Sequence, residues 1–286
     1  MNETNAFNPN PDAASVSEMA ELLAYGSSVA REAGSIMLGF YGHTTARVKG
    51  HQDLITEADL ALESFVLGKL KARYPDWQHI SEEETAKGAA FIDEFCWVLD
   101  PLDGTVNFAT EIPCFCVSLA LLHRGLPILG WVFDPLRNEL FTAQRGQGSF
   151  LNGTRMNVAD RQSLLIGIDS SLVRWGLQTG GAKRFLEIMD QYGKSRNLGS
   201  QAIHLCYVAA GRLRAAITRG CRIWDDAAGS LIVTEAGGCY SDWDGEPIFP
   251  LMPSRPGLDG SPIQSVAAEP ACFEGICKAL SQADAG

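Results

Sequence analysis

A chain of 286 residues, 46% hydrophobic and 20% charged, is long enough for one large core or two subdomains, and its composition excludes a disordered protein. No apolar run approaches the roughly 18 residues of a membrane span, so the sequence reads as soluble. The formal charge of −11 argues against nonspecific binding to polymeric nucleic acid or to an anionic membrane surface, but not against a small anion held through cations.

The opening MNETNAFNPNPDAAS is polar and acidic, without a basic start or an apolar segment. This predicts a short flexible tail over 1–16 rather than a signal peptide, and a cytoplasmic protein. Ser15-Val16-Ser17-Glu18 has the form of a capping box, and Met19, Leu22, Leu23, Val29, Ala30, Ala33 and Met37 follow at helical spacing. A second helix starts at Thr56-Glu57-Ala58-Asp59, carries Leu62, Phe65, Val66 and Leu70, and ends at Tyr74-Pro75-Asp76. From Phe95 the segments FCWVL, CVSLALLH, PILGWVF and NELFTAQ read as strands, and Asn152-Gly153 within GSFLNGTRMNV signals a tight hairpin.

Beyond Arg161 the order mixes. LLIGI, LRAAIT and IQSVAA read as strands; AKRFLEIMDQY, QAIHLCYVAAG, DDAAGSLIVTEAG and ACFEGICKALSQA read as helices, the third ending near Gly237-Gly238. Five of the thirteen prolines lie between Pro247 and Pro262 and predict a long irregular loop. Eight cysteines show no CxxC pair and no zinc spacing, which predicts reduced, mostly buried thiols. The sum is an α+β or layered αβ protein.

VLDPLDGTVNF, Val98 to Phe108, sets Asp100 and Asp103 at the mouth of an apolar strand. Crowded carboxylates repel, so one holds a proton unless cations or hydrogen-bond donors neutralise the pair. Mg²⁺ is the simplest answer, because aspartate oxygens are hard ligands and the ion completes its shell with phosphate oxygens. Gly104-Thr105 can present backbone N–H groups to an anion at the start of a helix. Three other readings compete. Asp-Pro and Asp-Gly are common turn pairs. The haloacid-dehalogenase-like signature, with a nucleophilic aspartate, spaces its acids two apart rather than three. An EF-hand loop needs an alternating run of ligands that is missing.

Further acids extend the pattern: Glu82-Glu83 in HISEEE, and Asp225 in IWDDAAGSLIVTEAGG. With these, the sequence resembles the inositol monophosphatase family of Mg²⁺-dependent phosphomonoesterases. Glu82-Glu83 looks like the family's glutamate pair, Asp100 to Phe108 like its DPxDGTxNF motif, and Trp224 to Gly229 like its WDxAAG motif. The LGS of Leu198 to Ser200, CYVAAGRL and RGQGSFLNG are similar to family segments in family order, so the likeness runs from about residue 17 onward.

The resemblance implies a layered αβαβα sandwich of the inositol monophosphatase and fructose-1,6-bisphosphatase type. Residues 17–160 would form an amino-terminal subdomain with most metal ligands, and 161–286 a carboxy-terminal one that adds Asp225 and substrate contacts. It implies two to three Mg²⁺: Glu82, Asp100 and the Leu102 carbonyl at a first ion, Asp100, Asp103 and Asp225 at a second, and a weaker third reached from Glu82 through waters. It implies hydrolysis of a small phosphate monoester by a metal-activated water, with Thr105 and its partner Asp59 activating that water and no phosphoenzyme. Asp103, Gly104, Thr105, Gly199, Ser200, Gln201, Thr218, Arg219 and Asp225 would contact substrate, with the Gly104 and Thr105 amides on phosphate oxygens. Lithium sensitivity and a homodimer follow from the likeness alone, as does a small phosphorylated metabolite as partner; the acidic charge is what argues against a membrane or a nucleic-acid polymer.

Asp59 has a competing role as the third residue of the Thr56 capping box. Glu83 and Glu84 read as exposed or supporting, Asp226 and Glu235 as helix-end or solvated acids, and Trp224 as core. His51, His79, His123 and His204 show no ligand spacing and read as structural or surface residues. Two departures bear on specificity. Ser81 stands where the family has glycine, and Thr218, followed by Arg219, stands where inositol phosphatases place a sugar-binding glutamate. That exchange disfavours a purely hydroxyl-rich substrate and favours one with a second anionic group, unless Arg219 points to solvent. Gln201 replaces a residue that is usually small. Histidinol phosphate, fructose 1,6-bisphosphate and nucleotide 3′(2′),5′-bisphosphates are therefore alternative substrates, and a regulatory scaffold that kept the fold without turnover is an alternative of another class.

Overall fold

The computed structural model describes residues 16–50, 53–84, 94–179, 181–252 and 256–281. The chain begins with α1 (Val16–Phe40), the short hairpin β1 (Ala46–Gly50) and β2 (Asp53–Thr56), and α2 (Glu57–Arg73). Ser15, and with it the first capping box, lies outside the described residues. The second box is present: Thr56 Oγ1 accepts from Ala58 N, and Thr56 N donates to Asp59.

A seven-stranded sheet follows: β3 (Gln78–Ser81), β4 (Phe95–Asp103), then the single turn α3 (Thr105–Ala109), and β5 (Cys116–His123), β6 (Leu126–Asp134), β7 (Glu139–Gln144), β8 (Gly148–Leu151) and β9 (Thr154–Arg155), in that spatial order. Only β3 against β4 is parallel, and tight turns suffice from β5 onward. Asn152 and Gly153, at φ 48° and 80°, make the predicted hairpin turn.

The second half supplies β10 (Leu165–Ile168), α4 (Ser171–Thr179), α5 (Ala182–Tyr192), β11 (Lys194–Arg196), α6 (Gln201–Ala209), β12 (Ala215–Cys221), α7 (Ile223–Glu235), β13 (Cys239–Ser241), β14 (Ile263–Ala268) and α8 (Pro270–Ser281). Its strands form a mixed sheet in the order β11-β10-β12-β14-β13.

Side-chain alternation along the strands sorts these elements into layers. Trp97 and Leu99 face α1 and α2, packing with Leu22, Val29, Leu62 and Val66. Cys96 and Val98 face the other way, toward α6 and α7, whose Leu205, Ala228 and Leu231 also meet Ala216 and Ile263 of the smaller sheet. The outer face of that sheet packs Ile166, Ile217 and Val266 against Leu172, Trp175, Ile188 and Ile276 of α4, α5 and α8. The result is the αβαβα sandwich, with one middle core shared by both halves of the chain.

Several elements carry no clear sequence signal. β1, β9 and β11 are short and polar, and α4 starts inside a Ser-rich stretch. α7 begins at Ile223, two residues before Asp225, so Asp225 falls in its first turn rather than at its start. All eight cysteines are free and all but Cys239 are buried. Among the described residues no helix is long and apolar enough to cross a membrane.

Candidate active site

The site begins where β4 ends. All nine residues of β4 are buried, and its pairing with β5 slips between Asp100 and Asp103. Such an irregularity re-aims side chains at a strand end. Gly104 then turns the chain at φ 99°, where a Cβ would stand 2.9 Å from the Cys114 carbonyl oxygen, and α3 starts at Thr105. Glycine alone fits that backbone and that gap.

Asp100 is buried, and its Oδ1 accepts from Leu102 N at 2.9 Å. Asp103 is clasped by the first turn of α6: its Oδ2 accepts from Ser200 Oγ at 2.7 Å and from Ala202 N at 2.6 Å. Ser200 is itself the N-cap of α6 and accepts from Ile203 N. Asp225, partly exposed, accepts from Arg222 N at 2.7 Å. Glu82 follows β3 and is drawn to β4 by its amide, which donates to the Leu99 carbonyl at 3.3 Å.

These four acids share one electrostatic environment. Burial pushes the Asp100 carboxyl well above its ordinary range, and the charges of Glu82, Asp103 and Asp225 push it further. Asp225 is raised by burial and then by Asp103 and Glu82. Burial takes Asp103 up to about 6 against the pull of its α6 donors. Among the described residues no three His, Cys, Asp or Glu side chains stand close enough together, as placed, to grip a metal ion. The donors still suit a hard divalent cation in kind. They are carboxylates and the Leu102 carbonyl, and one oxygen each of Asp100 and Asp225 has no protein donor among the described residues.

Thr105 Oγ1 lies 3.1 Å from Asp59 Oδ1 and 3.0 Å from the Leu102 carbonyl oxygen, so its one proton is shared between two acceptors. Asp59 is 1% exposed, and its other oxygen accepts from Thr56 N at 2.7 Å and Thr56 Oγ1 at 2.6 Å. The capping role and the Thr105 contact therefore use different oxygens of one carboxylate. Burial raises its pKa, and the Thr56 and Thr105 hydrogen bonds hold it down.

Gly199, at φ 76°, lets the chain pass Asn107, whose Nδ2 donates to the Cys114 and Leu198 carbonyls at 2.7 Å each. Asn107 thus ties α3 to the approach of α6. Thr218 is buried, and its hydroxyl donates to Asp169 Oδ2. Arg219 is half-exposed, with its guanidinium 5.9 Å from the Trp243 ring and its Nε buried without a hydrogen-bond partner among the described residues.

Three acids differ from expectation. Asp226 is fully buried rather than solvated, because its side of α7 faces the middle core; it accepts from Gln201 Nε2, Cys221 Sγ and Tyr240 OH. Glu235 fastens the β7–β8 turn by accepting from Gly146 N and Gly148 N. Asp169, absent from the sequence expectations, accepts from Ser171 Oγ, Leu172 N, Arg219 N and Gly220 N besides Thr218. Its signal was there in Asp-Ser-Ser after a strand, a helix-start pattern. His204 is buried, lowered to about 4, and accepts from Leu198 N as a neutral ring.

A layered αβαβα chain that gathers acids from β3, β4 and α7 around a Thr–Asp pair belongs to a class built for phosphate-ester chemistry. The chain is a member of the Inositol monophosphatase family, which it matches over residues 18–285. It is 37% identical to Nus factor SuhB of Salmonella typhimurium over 238 residues, 79% of this chain and 87% of that protein. An inositol monophosphatase of Mesembryanthemum crystallinum is 34% identical over 279 residues, 93% of this chain and 98% of its own. An IMPase structure from Thermotoga maritima superposes with a TM-score of 0.78 at 26% identity, covering 92% of this chain and 98% of that one. This likeness supports phosphatase chemistry at the level of the family.

Proposed function

We propose that the chain is a Mg²⁺-dependent phosphomonoesterase that hydrolyses a small phosphate ester by direct attack of water. The observation that carries this reading is the Thr105 hydroxyl held between Asp59 and the Leu102 carbonyl, on the turn that also bears Asp100 and Asp103; the raised carboxyls of Asp100, Asp103 and Asp225 fit acids that cations would relieve. Glu82, Asp100, the Leu102 carbonyl, Asp103 and Asp225 would hold two to three Mg²⁺. Bound Mg²⁺ supplies positive charge for phosphate oxygens and lowers the pKa of water.

The chain's own residues do the rest. Thr105 Oγ1 receives the proton of the attacking water as its own passes toward Asp59 Oδ1, which the Thr56 bonds hold in line. The Gly104 and Thr105 amides orient phosphate oxygens. Gly199 and Ser200 shape the pocket beside Asp103, and the face of β12 that bears Thr218 borders the alcohol half of the ester. The free thiols fit a cytoplasmic enzyme. A homodimer and lithium inhibition are proposed from the family alone.

The test is a single turnover with Mg²⁺ of an ester made chiral at phosphorus with oxygen isotopes. Inversion at phosphorus is expected from one in-line displacement by water; retention, or a phosphorylated Asp100 trapped by rapid quench, would replace direct attack by an aspartyl-phosphate route. A second reading, a binding role on this fold, draws on the relatives named Nus factor SuhB. It would prevail if the chain released no phosphate from any ester in a broad screen.

A further inference from the structure

α2 carries two buried carboxylates, Asp59 and Glu63, four residues and so about one helical turn apart. They serve different parts of the chain. Asp59 meets the Thr105 hydroxyl, whereas Glu63 meets the end of β3. Alternation along β3 explains the second contact, because Ile80 enters the middle core and Ser81 therefore turns to the opposite face, where α2 lies. Ser81 Oγ donates to Glu63 Oε1, and Glu83 N donates to the same oxygen at 3.2 Å.

The two donors flank Glu82, whose own amide donates to the Leu99 carbonyl of β4 at 3.3 Å. Three consecutive residues are thus tied, the outer two to α2 and the middle one to β4. Such bonds restrain the backbone angles at Glu82, and those angles decide which rotamers its side chain can adopt. The Glu82 charge is felt by both Asp100 and Asp225. A glycine at position 81 would have no hydroxyl to give, so half of this clasp depends on serine there. We propose that Glu63 is a positioning residue for Glu82: by accepting from Ser81 Oγ and Glu83 N it holds the turn after β3 so that Glu82 can serve as a Mg²⁺ ligand. The inference rests on the metal-binding part of the phosphomonoesterase reading and adds to it a residue that acts through Glu82.

Metal binding to the full chain is measured with Mn²⁺, which suits the same oxygen donors and is followed by electron paramagnetic resonance. The second readout is the Mg²⁺ concentration that half-saturates phosphate release from p-nitrophenyl phosphate. Glu63→Met nearly keeps the volume and loses the acceptor. It should weaken Mn²⁺ binding about tenfold and raise the Mg²⁺ half-saturation alike, with kcat at saturating Mg²⁺ within about twofold of the wild type. Glu63→Gln keeps an acceptor at Oε1 and should bring both values back to within about threefold. Ser81→Ala removes one of the two donors and should weaken Mn²⁺ binding about threefold, which keeps the test in hand if Glu63→Met fails to fold. Glu82→Gln should itself weaken binding, and Glu63→Met added to it should change what remains by less than about twofold, because the effect runs through Glu82.

Unchanged Mn²⁺ affinity in Glu63→Met and Ser81→Ala overturns the proposal, as does a Glu63→Gln that binds no better than Glu63→Met. A full tenfold further loss on top of Glu82→Gln overturns it too, since Glu63 would then loosen the fold at large rather than place one ligand. The expected pattern of Mn²⁺ affinities in a chain that hydrolyses no ester would keep the role of Glu63 and overturn the phosphomonoesterase reading instead. A wild type that binds no Mn²⁺ overturns both.

Discussion

Replacing Asp103 by Asn should stabilise the metal-free protein while removing its hydrolysis. The folded chain holds this carboxyl at about 6 against an ordinary 3.8. That gap of about 2 pH units, at about 1.4 kcal/mol each, makes ionised Asp103 cost the folded state about 3 kcal/mol at pH 7. The sign follows from the raised value. Below about pH 4 both states carry the proton and the penalty vanishes; it grows as pH rises toward 6 and is constant above. Asparagine keeps an acceptor for Ser200 Oγ and Ala202 N, whose pull is already inside the value of about 6, but buries an NH₂ where a carboxyl oxygen stood, at a cost of about 1 kcal/mol.

The net gain is about 2 kcal/mol at pH 7, or about 4 °C in midpoint for a chain of this size. Scanning calorimetry in EDTA should show that gain at pH 7 and most of it gone by pH 5. Mg²⁺ should raise the midpoint of the wild type and barely move the variant, and phosphate release should fall at least about a hundredfold. A variant that melts below the wild type in EDTA at pH 7, or whose advantage grows as pH falls, would refute the argument that the acids are crowded and unneutralised.

Thr105→Val removes the hydroxyl between Asp59 and Leu102 and should lower kcat about a hundredfold with little change in KM, as read from steady-state kinetics. Gly26→Ala would stabilise an ordinary exposed helix by about 1 kcal/mol, yet here the new Cβ would lie 2.4 Å from the Trp131 ring. A loss of about 2 kcal/mol in urea denaturation is expected, and a stabilised variant would contradict the close approach of α1 to β6. Arg212 meets Glu139 through two hydrogen bonds, with both side chains mostly buried, and so joins the end of α6 to β7. Arg212→Met should cost about 2 kcal/mol, and a double-mutant cycle with Glu139→Gln should give a coupling of about 1 kcal/mol.

The parts of the site that sequence made legible are those settled by nearby residues. The capping box places Asp59 by a rule of three-residue spacing, and the apolar run before Asp100 reads as a buried strand with acids at its mouth. What stayed illegible depends on partners far along the chain. Asp225 and Asp226 are adjacent and chemically identical. One lies partly open at the site and the other has no exposure at all, because α7 is wedged between two sheets and one step along a helix turns a side chain by about 100°. Asp169 and Thr218 meet only because β10 and β12 pair in parallel, with Ile168 opposite Ile217. The approach of Arg219 to Trp243 likewise joins residues 24 positions apart, and nothing local announces it.

How a chain can gather four mutually repelling acids, two of them buried, before any cation arrives has a partial answer in its helices. α2, α6 and α7 begin near this region: Asp59 lies in the first turn of α2, Asp225 in the first turn of α7, and Asp103 accepts from the first turn of α6. Each helix start carries partial positive charge, worth up to about 2 kcal/mol to a nearby carboxylate in a partly buried setting. Such terms favour Asp59, Asp103 and Asp225 in place, yet they do not offset burial and repulsion: Asp225 stays well above its ordinary range, as does Asp100, whose donor among the described residues is the Leu102 amide. Asp100, which feels Glu82, Asp103 and Asp225 together, is therefore an acid that burial and its neighbours incline to keep its proton, and a cation would favour its ionised form.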